Sequence, residues 1–321
     1  MKTLYPELIP YHTFFLETNS KHAVYVELSG NAEGIPIIFL HGGPCSGTKP
    51  DHRRFFDPAH YLIILMDQRG CGLSTPFGEL EHNTTQDLIA DMERIRQQLN
   101  IRQWVLFGGS WGATLALLYA QQHTEYVSGM IIRGVFLARQ KDMAWFANEG
   151  AGMIFPEQWQ RLLHCVPEEA RTDLMQGLYT ALWSDDELAQ RRVAREWSAW
   201  GAQVALAQAY QASSATEHVT EKMLNQVRME IHYARQHYFI AENQILAQCP
   251  QLQKIPTIII HGRLDLVCPM EAAMRLYEAL PHAEYIVLPN AGHIAQGADM
   301  IDALVTATDA MLGLLADKPT L

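Results

Sequence analysis

The run Gly108-Gly109-Ser110-Trp111-Gly112, a Gly-x-Ser-x-Gly, constrains the fold more than any other stretch of these 321 residues. Trp104-Val105-Leu106-Phe107 before it is apolar and β-prone, and the residues from Ala113 to Ala120 after it make a good helix start. A strand that turns this sharply into a helix brings two backbones together, so the positions flanking the serine cannot carry a Cβ. The strained turn then presents Ser110 to solvent, with a helix amino terminus behind it that favours developing negative charge. A glycine-rich turn with an idle serine has the same local pattern, so the rest of the chain has to supply partners for the hydroxyl.

The surrounding pattern is α/β. Short apolar runs at 23–28, 35–40, 61–66 and 104–107 read as parallel strands buried on both faces. Between them, Leu88, Ile89, Met92, Ile95 and Leu99 recur at helical spacing. After Ile131-Ile132 the strand signal stops until 256–260, and the interval is rich in Ala, Gln, Glu, Arg, Met and Trp, which suit amphipathic helices. Strand and helix signals then resume at 271–280, 285–288 and 300–315. The expected architecture is a core domain split over 1–137 and 251–321, with a helical cap at 138–250.

A serine hydroxyl is a weak nucleophile at its free pKa and needs a base, which in turn needs an orienting carboxylate. On a fold with this elbow the chain order is Ser, Asp/Glu, His. Asp265 follows the 256–260 strand and His293 follows the 285–288 strand, so both fall at the same sheet edge as Ser110, where open α/β sheets bind ligands. His261 precedes the turn and is expected to pack, and His282 ends a helix. His41-Gly42-Gly43-Pro44 follows the 35–40 strand and has the form of an oxyanion turn, so the backbone N–H groups of Gly43 and Trp111 are the expected donors to the oxyanion. In Asp67-Gln68-Arg69-Gly70-Cys71-Gly72 the charged pair is expected to fix loop geometry.

Charge excludes other functions. Lys and Arg number 24 against 35 Asp and Glu, a formal net charge of −11, so nucleic acid and anionic membrane are poor partners. No apolar run approaches the roughly 18 residues of a membrane span and no secretory signal is readable, which makes the cytoplasm the expected compartment. The five cysteines form no Cys-x-x-Cys, and no His-Glu-x-x-His occurs, so neither a metal nor a cofactor is expected.

The chain resembles the proline iminopeptidases, or prolyl aminopeptidases, of the α/β-hydrolase fold. The likeness runs over nearly the whole length and is carried by Leu4-Tyr5-Pro6, Glu27 to Asn31, His41 to Pro44, Asp67 to Gly72, Gly108 to Gly112, Arg133-Gly134-Val135-Phe136, Phe155-Pro156-Glu157, Gly262 to Asp265 and Cys268-Pro269. It implies a serine exopeptidase that releases proline from the free amino terminus of a small peptide without metal. It also implies amine recognition by two cap glutamates. One carries over as Glu230, in Arg228-Met229-Glu230-Ile231-His232-Tyr233; the other position is Gly201, at the end of Trp197-Ser198-Ala199-Trp200-Gly201. Glu196 lies five residues before Gly201, about 140° around a helix, and cannot replace it. Phe136 and Phe146 carry over as contacts of the proline ring, and Cys45 stands where the family has glycine.

Two alternatives stay open: a related esterase or amidase, which the lost carboxylate favours, and a silent binding protein, which the intact triad disfavours. Epoxide hydrolases and dehalogenases place aspartate at the elbow, so Ser110 argues against them.

Overall fold

The computed structural model describes residues 1–148, 150–211 and 218–316. Eight strands form one sheet: β1 (His12–Glu17), β2 (Ala23–Gly30), β3 (Ile35–Leu40), β4 (Tyr61–Met66), β5 (Trp104–Ser110), β6 (Val127–Val135), β7 (Thr257–Gly262) and β8 (Glu284–Leu288), in the order β1-β2-β4-β3-β5-β6-β7-β8. Pairing is parallel from β4 through β8. The alternation of strand side chains divides the core into two layers. Ile38, Leu40, Ile64, Leu106, Ile132 and Ile259 pack on one face, and Ile37, Phe39, Ile63, Phe107, Ile131 and Ile258 on the other.

One expectation is corrected, and one strand is added. Residues 23–28 are not part of a parallel strand: β2 runs antiparallel to both β1 and β4. The strand β1 lies at the sheet edge with mostly exposed side chains, so it lacks the apolar run that marks the inner strands.

Among the described residues the helices are α1 (Thr85–Gln98), α2 (Trp111–Gln122), α3 (Gln140–Ala147), α4 (Gly150–Ile154), α5 (Pro156–Leu163), α6 (Leu174–Leu182), α7 (Glu187–Leu206), α8 (Glu221–Arg235), α9 (Gln244–Gln248), α10 (Met270–Ala279) and α11 (Ala298–Ala316). The first, α1, starts on a capping box in which Thr84 and Asp87 each satisfy the other's backbone N–H. Helices α3 to α9 fall between β6 and β7. Buried residues of this segment, including Leu178, Val193, Trp197, Trp200 and Val227, form a core of their own over the sheet's carboxyl edge. Helix α8 joins the two cores: Leu224, Val227 and Ile231 belong to the upper one, while Met229, Tyr233 and Ala234 belong to the sheet's core. No helix among the described residues is long and apolar enough to cross a membrane.

Candidate active site

Ser110 is the last residue of β5, and its backbone takes φ 58° and ψ −125°, a region that L-residues rarely occupy. The flanking glycines are required by contact: a Cβ at Gly108 would overlap the Gly112 carbonyl, and a Cβ at Gly112 would overlap the Leu40 carbonyl of β3. Helix α2 therefore starts directly against the sheet edge, with Trp111 as its first residue.

Asp265 and His293 leave the carboxyl ends of β7 and β8 and meet there. His293 Nδ1 donates to Asp265 Oδ2 at 2.8 Å, and Asp265 Oδ1 accepts from the backbone N–H groups of Val267 and Cys268 at 3.0 and 2.8 Å. Burial pushes the Asp265 carboxyl up, but the attraction of His293, its hydrogen bond and the nearby His261 outweigh this and hold it below the usual range. The tautomer follows: with Nδ1 donating, Nε2 of His293 is left as the free basic nitrogen. His261 is buried and packs as expected. It accepts from Val135 N–H through Nδ1 at 3.1 Å and donates from Nε2 to the Cys268 carbonyl at 2.7 Å.

Ser110 and His293 face the same space, but among the described residues no hydrogen bond joins them. The Ser110 hydroxyl and the Cys268 thiol line the same cavity as His293. Burial raises the Cys268 thiol well above its ordinary pKa, so it stays protonated and is a weak nucleophile. Ligand atoms of Asp265, Cys268 and His293 lie within 4.8 Å of one another. The histidine and carboxylate are already bonded to each other and the thiol is neutral, so this cluster suits proton transfer better than metal binding.

The turn after β3 is tied to the elbow by residues whose part was not evident in the sequence. Trp111 Nε1 donates to Gln68 Oε1 at 2.8 Å, Gln68 Nε2 donates to the His41 carbonyl at 2.9 Å, and Gln68 N–H donates to His41 Nε2 at 3.0 Å. Gly43 has φ 117° and borders the space in front of Ser110. Asp67 accepts from Thr48 N–H and Leu73 N–H, and Arg69 pairs with the fully buried Asp91 at 2.6 Å, so both charges of that motif organise loops. Cys45 is buried with its sulfur directed toward the Gly70 carbonyl.

A cavity of about 250 Å³ lies between the elbow and the helices above it, and Gly43, Ser110, Phe136, Phe146, Glu230 and His293 all line it. At its far side Glu230 is half-buried. Its Oε2 accepts from Trp197 Nε1 at 2.7 Å and its Oε1 from Gln226 Nε2 at 3.0 Å. Burial raises its pKa, which these two bonds only partly offset. Phe136 stands edge-on to Tyr238, with centroids 5.0 Å apart, and Phe146 stands edge-on to Trp197 at 5.8 Å. Gly201 borders the cavity with nothing within 4 Å of where a Cβ would be, and Glu196 is engaged elsewhere with Gln158 and Arg195. Trp197 and Tyr238 were missed as site residues. Trp197 reads as a packing aromatic, and Tyr238 enters the cavity through a turn, His237–Phe239, in which all three residues have positive φ.

A serine at a strained strand-to-helix turn, with a histidine and an aspartate from the next strand ends, defines a hydrolase of the α/β class. Residues 35–298 match the alpha/beta hydrolase fold family profile. An alpha/beta fold family hydrolase from Bacillus anthracis str. Sterne superposes with a TM-score of 0.61 at 18% identity, covering 94% of this chain and 100% of that one. Among sequence relatives, the proline iminopeptidase of Xylella fastidiosa (strain 9a5c) is 42% identical over 97% of this chain and 100% of its own length. That of Arabidopsis thaliana is 40% identical over 98% of this chain and 83% of its own. The chain is a serine hydrolase and belongs to the proline iminopeptidase family.

Proposed function

We propose that this protein removes proline from the free amino terminus of short peptides, with Ser110 as nucleophile. Its hydroxyl turns about the Cα–Cβ bond toward His293 Nε2, loses its proton to it and attacks the prolyl carbonyl. The N–H groups of Gly43 and Trp111 stabilise the oxyanion. His293 returns the proton to the leaving amine, and a water activated by the same nitrogen hydrolyses the prolyl ester. Asp265 holds the imidazole and stabilises its charged form. Phe136 and Phe146 flank the ring, and Glu230 pairs with the cationic amine.

The observation that carries this reading is the half-buried carboxylate of Glu230 in the same small cavity as Ser110 and His293, because an anion inside a substrate cavity with no cationic partner among the described residues is a recognition element for a cation. Residues 138–250 form the cap and 1–137 with 251–321 the core, and the enzyme acts in the cytoplasm on a small peptide.

The open space at Gly201 favours a second reading, an esterase or amidase without strict need for a free amine. Turnover of prolyl-naphthylamide against its amine-blocked counterpart and short-chain esters separates the two. Strong preference for the free amine supports the aminopeptidase, and indifference supports the second reading. Gly201→Glu sharpens the test: a carboxylate added there is expected to raise kcat/KM for free-amine substrates by about tenfold or more and to leave blocked ones little changed.

A further inference from the structure

A second cavity, about 410 Å³, opens on the other side of the nucleophile. It shares Gly43, Ser46, Ser110 and His293 with the first, so the two are lobes that flank the nucleophile. The first lobe holds Glu230 and the ring contacts. The second runs along the segment after the histidine, including Ile294, Ala295 and Gln296. In acyl transfer by a serine, the imidazole that deprotonates the nucleophile then protonates the leaving group, so the leaving group lies on the histidine's side. The second lobe therefore has the position of the leaving residue.

Its walls suit an apolar amino acid with a free carboxylate. Phe39, Phe55, Phe107 and Ile301 supply apolar surface. Arg133, on β6 beside Gly109, projects into the same lobe: a Cβ at Gly109 would overlap its guanidinium, which places that cation one residue from Ser110. Arg133 Nη1 donates to the His293 carbonyl, but among the described residues no carboxylate pairs with it. The acids nearby are committed elsewhere: Asp265 to His293, and Asp51 on the rim to Arg54 at 2.9 Å. Lys49 adds a second cation at the rim, and His52 is neutral because burial, followed by His41 and Lys49, lowers its pKa to about 3. Arg133 is half-buried, and a guanidinium lining a cavity without a counter-ion is available to a ligand that supplies the anion.

Resting on the aminopeptidase reading, we propose that this lobe is the leaving-residue subsite and that Arg133 binds the α-carboxylate of the second residue, which makes prolyl dipeptides with an apolar second residue the preferred substrates. The test compares Pro-Phe, Pro-Phe-amide and Pro-Glu-amide. The expected kcat/KM for Pro-Phe is at least about tenfold above that for Pro-Phe-amide, with the ratio falling toward one in Arg133→Gln and partly kept in Arg133→Lys. Equal rates for Pro-Phe and its amide in the parent would overturn the proposal. So would a ratio that survives Arg133→Gln while both rates fall, since Arg133 would then serve only to hold the His293 loop. Pro-Glu-amide as fast as Pro-Phe would assign the guanidinium to an acidic side chain and overturn the α-carboxylate assignment. Should Arg133→Gln fail to fold, the parent protein decides: free phenylalanine is expected to inhibit prolyl-naphthylamide hydrolysis at least tenfold more strongly than phenylalaninamide, and equal inhibition would overturn the proposal. Inactivity toward every prolyl substrate, by contrast, would remove the aminopeptidase reading itself.

Discussion

Two carboxylates of this site, the buried Asp265 and the half-buried Glu230, have been pushed in opposite directions. Asp265 gains more from His293 and two backbone N–H groups than burial costs it, so it stays ionised and fixes the imidazole. Asp265→Asn keeps the shape and removes that preference for the productive tautomer; turnover is expected to fall by roughly 10⁴-fold with the fold intact. Normal rates in a folded Asn variant would refute the assignment. Glu230 is raised above its ordinary value by burial, so the free enzyme loses this proton at a higher pH than an exposed glutamate would. The ratio of free-amine to amine-blocked turnover is therefore expected to drop as pH falls through that raised pKa, and Glu230→Gln should flatten it. Stability gives the second readout. The folded state holds the Glu230 proton more tightly than the unfolded chain, so this group's contribution is fully present below the unfolded pKa and is lost as pH rises through the folded one. Glu230→Gln, which still offers Trp197 an acceptor, is accordingly expected to melt above the parent at neutral pH and to match it in acid. A variant melting below the parent at pH 7 would show that Glu230 is stabilised where it lies.

At the scale of elements, the elbow is a contact between β3, β5 and α2 that leaves no room for a methyl group. At Gly112 the obstacle is the Leu40 carbonyl, a backbone group that cannot rotate aside without breaking β3 from its neighbours. Gly112→Ala is expected to cost about 3 kcal/mol, the upper part of the usual overpacking range, read from the denaturant midpoint, and to lower kcat together with it. An active Ala variant of parental stability would mean that β3 and α2 separate freely. Gly-x-Ser-x-Gly was legible for this mechanical reason, and the inner strands were legible because both faces are buried and so their sequences are apolar throughout. Asp265 could be located because it follows such a strand, β7, and His293 because it follows the short apolar run of the edge strand β8. The edge strand β1 could not be read because its exposed side chains leave no apolar run, and the antiparallel sense of β2 could not be read because β2 lies inside the sheet and is buried much as the parallel strands are. Gln68, Arg133 and Tyr238 were also unreadable as site residues: their positions come from packing between segments distant in sequence.

For the whole molecule, a gap in the strand pattern revealed the helical insertion, but nothing in it indicated how the helices attach. Helical periodicity says that a face is buried without saying against what, and α8 buries one face in each core. The attachment nearest the sheet is ionic. Arg139, between β6 and α3, pairs with Asp142 of α3 at 2.6 Å and with Glu271 of α10 at 2.7 Å, and Lys141 reaches the same Glu271 at 2.8 Å. Burial pushes the Glu271 carboxyl up, yet the hydrogen bonds of Arg139 and Lys141 bring it down to about 2. Because the folded pKa lies below the unfolded one, the stabilisation from this group is present above the ordinary carboxyl pKa and is lost as pH falls from there toward about 2. The Glu271 side chain is 39% exposed, so solvent screens the pair and its worth stays below about 1 kcal/mol. Glu271→Gln is thus expected to shift global unfolding only slightly at pH 7. Its larger effect should be local: release of Arg139 loosens the start of α3, and limited proteolysis should cut sooner within residues 138–250 while the sheet stays intact. Lowering the pH of the parent from 5 to 3 should produce the same accelerated cutting, with no further change in the Gln variant. If acid accelerates cutting equally in both proteins, the acid-labile attachment lies elsewhere than at Glu271.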